Sequence, residues 1–249
     1  MATKTRLDHA LLASGQVRSR SQAENWIRLG KVTVDGRIVT KPGTFISPDS
    51  RVELQATQQY VSRAGLKLAS VAQAFNLQFA GSIVLDVGSS TGGFTDYALQ
   101  HGAKLVYAVD VGTDQLHPSL RGDRRIVLHE KTDIRDFIPP QLPDIIVGDV
   151  SFISLRQILP HIAAHAMGPQ TTLVAMVKPQ FEAQRHQTTK GVVKNNAVRR
   201  KILADFEAWA TQYFVIVAKR DSQVAGAKGN VERFYQLRLP RTSHKHRTR

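Results

Sequence analysis

The chain of 249 residues contains no cysteine, which excludes a disulfide framework and any metal site built on thiolates. No run of 18 uninterrupted apolar residues occurs in it, so a membrane-spanning helix is not expected. The amino-terminal segment carries charged residues where a secretory signal would need an apolar stretch. These absences favour a protein of a reducing compartment that works away from membranes.

Acidic residues are scarce relative to basic ones, since 34 Lys and Arg stand against 20 Asp and Glu and give a net charge of +14. The excess lies in three segments, 1–54, 183–201 and 241–249, with net charges of +4, +6 and +4. Clustered positive charge indicates a polyanionic partner, and nucleic acid is the partner that we expect. Ordinary solvated surface charge is the alternative.

Two short helices and a hairpin are predicted within the first 54 residues. The stretch "TRLDHALLASG" has leucines at helical spacing. Ser21 and Glu24 fit the capping box of a second helix. In "KVTVDGRIVT" the Asp-Gly pair at 35–36 separates two β-type runs, which predicts a hairpin.

The pattern "RLD..L...G...SR..A...I..GKV.VDG..V.KPG" over residues 6–43 resembles the S4 RNA-binding fold, a small α+β module. The resemblance implies an RNA-binding domain at residues 1–56, followed by a short linker at 57–63. The residues expected to contact RNA are basic and come from this domain, the linker and the second basic segment. They are Arg6, Arg18, Arg20, Arg28, Lys31, Lys41, Arg63, Lys190 and Lys194.

From residue 64 to residue 240, apolar strands alternate with helical stretches, a pattern typical of an α/β domain with a mainly parallel sheet. Seven strands are predicted at 83–87, 105–111, 125–129, 144–150, 172–177, 214–218 and 232–239. The main helices between them are predicted at 155–166 and 197–213. Only a glycine-containing loop separates the last two strands, so the seventh is expected to be antiparallel. This Rossmann-like arrangement is that of methyltransferases that use S-adenosyl-L-methionine. A basic tail, 241–249, follows.

A glycine-rich turn in "VLDVGSSTGGF" follows the first of these strands. Gly88 lies at the strand end, and Gly92 and Gly93 lie at the start of the next helix. Glycines there let the backbone approach a ligand, and a helix N-terminus favours an anionic group. The G-x-G-x-x-G spacing of dinucleotide folds is absent from this turn. A tight structural turn is the alternative to a cofactor site.

Acidic residues at the next strand ends strengthen the cofactor interpretation. Asp110 ends the second strand, where a carboxylate accepts hydrogen bonds from a ribose diol. Asp133 follows the third strand, near the expected position of an adenine. The residues predicted to bind the cofactor are Asp86, Gly88, Ser89, Gly92, Gly93, Phe94, Asp110, Asp133 and Asp149.

Four further polar residues are expected to meet at the carboxyl edge of the sheet, where open α/β sheets carry their chemistry. Asp149 and Lys178 end two apolar strands, Glu232 begins the antiparallel last strand, and Lys67 lies on the helix before the first strand. Taken singly, each is more typical of a surface ion pair. Lys178 follows an apolar run and precedes a proline, which is unusual for a merely solvated lysine.

Together, these four residues resemble the K-D-K-E arrangement of the FtsJ-like ribose 2′-O-methyltransferases. With "STGGFTD", "DVSFISL", "VKPQFE" and "GNVE", the chain resembles the TlyA family of bacterial ribosomal RNA cytidine 2′-O-methyltransferases, also called haemolysin-like. The resemblance implies S-adenosyl-L-methionine as cofactor, ribosomal RNA or ribosomal subunits as partner, and the bacterial cytoplasm as location. We expect a monomer and no metal.

The chemistry of ribose methylation explains the residue types, because a ribose hydroxyl is a poor nucleophile until a base removes its proton. Lysine is mostly protonated at neutral pH. Burial and a neighbouring ammonium lower its pKa and make the neutral amine accessible, whereas neighbouring carboxylates raise its pKa, and the sequence does not give the net shift. Lys178 is the predicted base and Lys67 its cationic neighbour, with Asp149 and Glu232 orienting them. The alternatives are a catalytically inactive RNA-binding protein, a pseudouridine synthase and a membrane-active haemolysin.

Overall fold

The computed structural model describes residues 4–17, 19–28, 30–55, 60–224, 226 and 229–240. Arg18, residues 57–59 of the predicted linker and the basic tail 241–249 lie outside the described residues, as does the side chain of Ser21.

The amino-terminal domain consists of two helices and two small antiparallel sheets, ordered β1-β4 and β3-β2-β5. Its elements are β1 Thr5–Arg6, α1 Leu7–Ala13, α2 Arg20–Arg28, β2 Val32–Val34, β3 Arg37–Ile38, β4 Phe45–Ile46 and β5 Val52–Leu54. The predicted hairpin is confirmed, since β2 pairs with β3 across a two-residue turn. Asp35 and Gly36 adopt φ values of 52° and 77°, the left-handed pair that a type I′ turn requires.

The second part of the chain forms one seven-stranded sheet with helices on both faces. Its elements are α3 Arg63–Ala72, β6 Ile83–Val87, α4 Gly93–Gln100, β7 Leu105–Val109, β8 Ile126–His129, β9 Ile145–Gly148, α5 Leu159–His165, β10 Thr172–Val177, α6 Pro179–Glu182, α7 Asn196–Ala210, β11 Val215–Asp221 and β12 Arg233–Arg238. The strand order is β11-β12-β10-β9-β6-β7-β8. β12 is antiparallel to both of its neighbours, as predicted.

One predicted helix is interrupted. Residues 155–166 were expected to form a continuous helix, but a 3-10 turn at Leu155–Gln157 precedes α5. Pro160 lies in the first turn of α5. Proline has no N–H to donate and its ring clashes with the carbonyl four residues earlier, so the helix cannot continue through it from Leu155.

Alternating residues of the central strands supply two hydrophobic cores, one on each face of the sheet. Val84 and Val147 pack towards α3 and α4, whereas Leu85 and Ile146 pack towards α5 and α7. Burial on both faces accounts for the nearly continuous apolar strands. It leaves the carboxyl edge of the parallel strands as the place where polar side chains gather.

The helices of the described ranges include none with the length and apolarity needed to span a bilayer.

Candidate active site

Two adjoining cavities open at the carboxyl ends of β6, β7, β9 and β10. The larger has a volume of about 330 Å³ and the smaller about 240 Å³. Gly88, Ser90, Asp149 and Ser151 line both cavities. The two cavities therefore share a wall formed by the turn after β6 and the loop after β9.

Glycine allows a close approach at both ends of the turn after β6. Gly88 has a φ of +78°, and a Cβ added there would lie 3.0 Å from the carbonyl oxygen of Asp149. A Cβ on Gly93 would overlap Ser62 Oγ and lie 2.7 Å from the Cβ of Ala64. The start of α4 thus packs directly against the start of α3, the helix that carries Lys67.

Asp86 places a buried carboxylate beneath the smaller cavity. Its Oδ2 accepts hydrogen bonds from the backbone N–H of Thr95 at 2.8 Å and from its hydroxyl at 2.7 Å. Burial raises the pKa of Asp86 to about 7. Among the described residues, Oδ1 of Asp86 and the hydroxyl of Ser89 have no hydrogen-bond partner although both are buried. Buried polar atoms without partners are costly, which indicates that a ligand completes this site.

Asp110 and Asp133 both line the larger cavity. The two carboxylate oxygens of Asp110 accept backbone N–H groups of Ser90 and Gly112, each at 2.7 Å. Each oxygen keeps a lone pair for a further donor. Asp133 caps the 3-10 turn at 134–136, and the guanidinium of Arg135, 2.6 Å away, holds its pKa below the usual range.

The four polar residues predicted to meet do so as two ion pairs. Lys67 Nζ lies 2.5 Å from Glu232 Oε2, and Lys178 Nζ lies 2.6 Å from Asp149 Oδ1. Lys178 also donates a hydrogen bond to Ser151 Oγ at 2.6 Å. Lys67, Asp149 and Lys178 line the smaller cavity.

Burial differs between the two pairs. The side chains of Lys67 and Glu232 are 9% and 2% exposed, and Lys67 lines the smaller cavity whereas Glu232 does not. Asp149 is 15% exposed. The two lysines are equally exposed, at 9% each, so the pairs differ in their carboxylates, of which Asp149 lines the smaller cavity.

The predicted RNA-binding residues are spread over the surface. Arg63 is exposed and lines the smaller cavity. Arg6 and Arg20 both contact Asp8. The remaining described residues of this group are exposed: Arg28, Lys31, Lys41, Lys190 and Lys194.

Several side chains at the site were not found from the sequence. Ser151 and Phe152 lie within "DVSFISL", shortly after Asp149. The feature that could have identified Ser151 from the sequence is its position as a polar residue just after a strand end. Phe152 lines the larger cavity, is 92% exposed and has a φ of +67°, which is unusual for an aromatic residue. Its ring centroid lies 5.4 Å from that of Phe181.

The end of the predicted linker packs onto the second domain. Tyr60 is buried, with its ring centroid 5.3 Å from that of Tyr97 in α4. The backbone N–H of Val61 donates to Asp96 Oδ2 at 2.7 Å, and Ser62 caps α3. The polar composition of this segment contained no signal for these contacts.

No group of three histidine, aspartate or glutamate side chains within the described ranges is arranged to hold a metal ion.

The fold and the site together define a methyltransferase. The sheet has an antiparallel seventh strand, a glycine turn follows its first strand and an acid follows its second. Comparison with known proteins agrees: residues 60–239 match the FtsJ-like methyltransferase family, and residues 5–52 match the S4 domain.

Two curated relatives are similar over most of their length. "Hemolysin A" of Brachyspira hyodysenteriae is 40% identical over 233 residues, which cover 91% of this chain and 97% of the relative. The "16S/23S rRNA (cytidine-2'-O)-methyltransferase TlyA" of Mycobacterium tuberculosis is 39% identical over 245 residues, covering 96% and 91%. A solved structure from Streptococcus thermophilus, provisionally described as a hemolysin, is 38% identical with a TM-score of 0.71, covering 97% and 90%. The chain belongs to the TlyA family of FtsJ-like methyltransferases.

Proposed function

We propose that this protein transfers a methyl group from S-adenosyl-L-methionine to a ribose 2′-hydroxyl of ribosomal RNA, with cytidine as the target nucleotide. The observation that carries the proposal is the pair of lysine–carboxylate contacts beside the cofactor cavity. The names of relatives such as the Mycobacterium tuberculosis protein support ribosomal RNA as substrate.

The residues around the two cavities fit S-adenosyl-L-methionine. The unpartnered Oδ1 of Asp86 suits a cationic group, Asp110 suits the ribose hydroxyls, and Asp133 lies where an adenine would be bound. Gly88 keeps the backbone open beside this site. When bound, the cofactor supplies an electrophilic methyl group.

Lys178 acts as the general base in this proposal. Its Nζ, once neutral, takes the proton from the ribose 2′-hydroxyl, which becomes a competent nucleophile. Asp149 and Ser151 hold Nζ in position through contacts of 2.6 Å each. Lys67, anchored by Glu232, lines the same cavity as Lys178.

RNA is held by basic residues in this proposal and positioned by an aromatic rim. The S4 domain, Lys190 and Lys194 contact phosphates, and Arg63 guides the strand into the smaller cavity. Phe152 presents its ring at the cavity mouth, where an unstacked base binds well. Phe152→Ala is expected to raise KM for RNA, and an unchanged KM would remove Phe152 from the substrate site.

The proposal is tested by methyl transfer from isotopically labelled cofactor to isolated ribosomal subunits, followed by mapping of 2′-O-methylated positions. Lys178→Ala is expected to lower the rate by about 10²–10⁴. Lys178→Arg retains the cation beside Asp149 but cannot act as a base, so an equal loss is expected. Lys104→Ala changes an exposed lysine at the opposite edge of the sheet and serves as the matched control.

Near-normal turnover of Lys178→Arg would reject the base assignment. Methylation at a base atom, or of no RNA at all, would reject the proposed reaction. Dye leakage from anionic liposomes, measured on the same preparation, distinguishes the enzyme from a membrane-active protein.

A further inference from the structure

The carboxylate of Glu182 joins the two segments of the chain that meet at Lys178. Glu182 ends α6, four residues after Lys178, and its side chain is 2% exposed. Its Oε2 accepts a hydrogen bond from the hydroxyl of Ser154 at 2.6 Å, and its Oε1 accepts the backbone N–H of Leu155 at 2.8 Å. Arg156 Nε, 3.5 Å from Oε2, balances the charge. Both carboxylate oxygens are therefore bound to the segment that follows β9.

The loop that follows β9, residues 149–154, depends on side chains for its position. Within the described ranges, none of its backbone N–H groups after the first donates to a backbone carbonyl. Its start is held by Lys178, whose Nζ lies 2.6 Å from Asp149 Oδ1 and donates to Ser151 Oγ at 2.6 Å. Its end is held by Glu182. Lys178 and Glu182, at the two ends of α6, therefore anchor the two ends of the loop.

Phe152, in the middle of this loop, has a φ of +67°, which is costly for a bulky residue. Such a conformation persists only where the surrounding structure determines it. The ring of Phe152 is 92% exposed, so burial does not offset the cost. Its centroid lies 5.4 Å from that of Phe181 in α6, whose ring centroid is 5.9 Å from Lys178 Nζ. The contacts that α6 makes with the loop therefore account for the persistence of this turn.

We propose that Glu182 is a positioning residue for Lys178: it holds the loop in the conformation that brings Ser151 to the lysine. This role rests on the proposed function, because Lys178 is the base only in that reaction. Without the contacts of Glu182 the strained turn relaxes, and Ser151 moves away from Nζ. The base is then misplaced relative to the ribose hydroxyl, and a displacement of about 1 Å costs up to about 10²-fold in rate.

The first test measures methyl transfer to ribosomal subunits at saturating cofactor and RNA. Glu182→Gln leaves one oxygen where the carboxylate offered two, so kcat is expected to fall by up to about 10²-fold. Ser154→Ala removes one donor and is expected to lower kcat less, whereas Ser154→Thr retains the hydroxyl and is expected to have the parent's kcat. Because the two residues act through one contact, Ser154→Ala is expected to add little loss to Glu182→Gln.

The second test follows Lys178 itself and does not depend on turnover. In protein isotopically labelled at the lysine Cε, the NMR signal of Lys178 is identified by its absence from the spectrum of Lys178→Arg. Glu182→Gln is expected to shift this signal, because Ser151 no longer meets Nζ as it does in the parent. The signal of Lys104, an exposed lysine, is expected to stay in place.

Glu207→Gln is the matched control, since Glu207 also accepts a hydroxyl hydrogen bond and lies beside a cation. Tyr235 Oη donates to its Oε1 at 2.8 Å, and Lys219 Nζ donates to its Oε2 at 2.7 Å. These partners belong to β12 and β11 rather than to the loop after β9. Glu207→Gln is therefore expected to lower the melting temperature but to retain both kcat and the Lys178 signal.

An unchanged Lys178 signal in Glu182→Gln would overturn the positioning role, as would an equal loss of kcat in Glu207→Gln or fully additive losses for Glu182→Gln and Ser154→Ala. Thermal unfolding establishes that each variant is folded in the assay, and Ser154→Ala carries both tests if Glu182→Gln does not fold. Absence of methyl transfer by the parent would reject the proposed function, while the Lys178 signal would still decide whether Glu182 positions the lysine.

Discussion

At the scale of single residues, the site depends on polar atoms that the protein buries without satisfying them. Asp86 retains one unpartnered carboxylate oxygen, and its pKa of about 7 follows from burial. Asp149 Oδ1 and Glu232 Oε2 each have a lysine ammonium within 2.6 Å, although neither accepts a well-oriented hydrogen bond among the described residues. Burial of Asp86 therefore destabilises the unliganded folded protein. A bound cation would reduce this destabilisation, whose size depends on pH.

We predict that Asp86 makes the unliganded protein less stable as the pH rises from 5 to 7. The folded pKa of about 7 lies above the ordinary value of 3.8, so the folded state retains a proton that the unfolded state has lost. The stabilisation is complete below about pH 4 and is lost as the pH rises through 7. The change is at most about 1.4 kcal/mol per pH unit.

Urea unfolding at several pH values measures this dependence. Asp86→Asn retains an oxygen for Thr95 and is expected to flatten the curve between pH 5 and 7. Asp49→Asn, at an exposed position, is expected to leave it unchanged. Identical pH profiles for the parent and Asp86→Asn would show that Asp86 is already ionised in the folded protein.

At the scale of elements, the contact between the starts of α3 and α4 joins the helix that carries Lys67 to the helix that follows the glycine turn. α3 carries Lys67 and is capped by Ser62, whereas α4 follows the glycine turn. Gly93 has no room for a side chain because Ser62 and Ala64 lie against it. Any added atom must separate the helices, and the position of Lys67 relative to Glu232 changes with them.

We predict that Gly93→Ala lowers both stability and methyl transfer. Overpacking of this kind costs about 1–3 kcal/mol, and thermal unfolding measures it. Gly168→Ala is the matched control, since its added Cβ would meet the end of the flexible Leu142 side chain at 3.2 Å and Thr171 Oγ1 at an ordinary contact distance of 3.8 Å. Equal rates for the parent and Gly93→Ala, at a temperature where both are folded, would mean that the α3–α4 contact does not position Lys67.

At the scale of the whole molecule, the S4 domain and the methyltransferase domain meet at a segment that belongs structurally to the second. Tyr60 and Val61 are held by Tyr97 and Asp96 of α4. A separated catalytic domain must therefore begin at residue 60. Basic residues lie on both domains, so the contribution of each domain to the affinity for RNA has to be measured.

We predict that residues 60–249 bind S-adenosyl-L-methionine normally but methylate ribosomal subunits very poorly. The deletion removes Arg18, Arg20, Arg28 and Lys31. If these neutralise about four phosphates, the slope of log affinity against log salt changes by about 2.8 to 3.6. Calorimetry with the cofactor, RNA binding across a salt series and methyl transfer measure the three quantities.

Supplying residues 1–56 as a separate chain is expected to restore little activity, because tethering provides an effective concentration that free diffusion does not. Equal salt slopes and equal methyl transfer for the full-length and shortened proteins would show that the segment 183–201 and the basic tail 241–249 suffice for RNA capture.

The local pattern of apolar and polar residues in the sequence was sufficient to predict much of the fold of this protein. The seven strands, the reversal of β12 and the placement of Asp110, Asp149 and Lys178 at strand ends depend on short-range periodicity and on the absence of a crossover, which a linear sequence displays. Only the tertiary structure decided which lysine meets which carboxylate. β12 inserts between β10 and β11, which brings Glu232 to Lys67, 165 positions earlier in the chain.

The same holds for the features that the sequence did not reveal. The unpartnered oxygen of Asp86, the packing of Tyr60 against α4 and the contact of Glu182 with Ser154 each depend on neighbours that are distant in sequence. Periodicity assigns a residue to a face of its own element. Whether that face is filled depends on which element the fold places against it, because burial and hydrogen bonding are properties of the assembled neighbours.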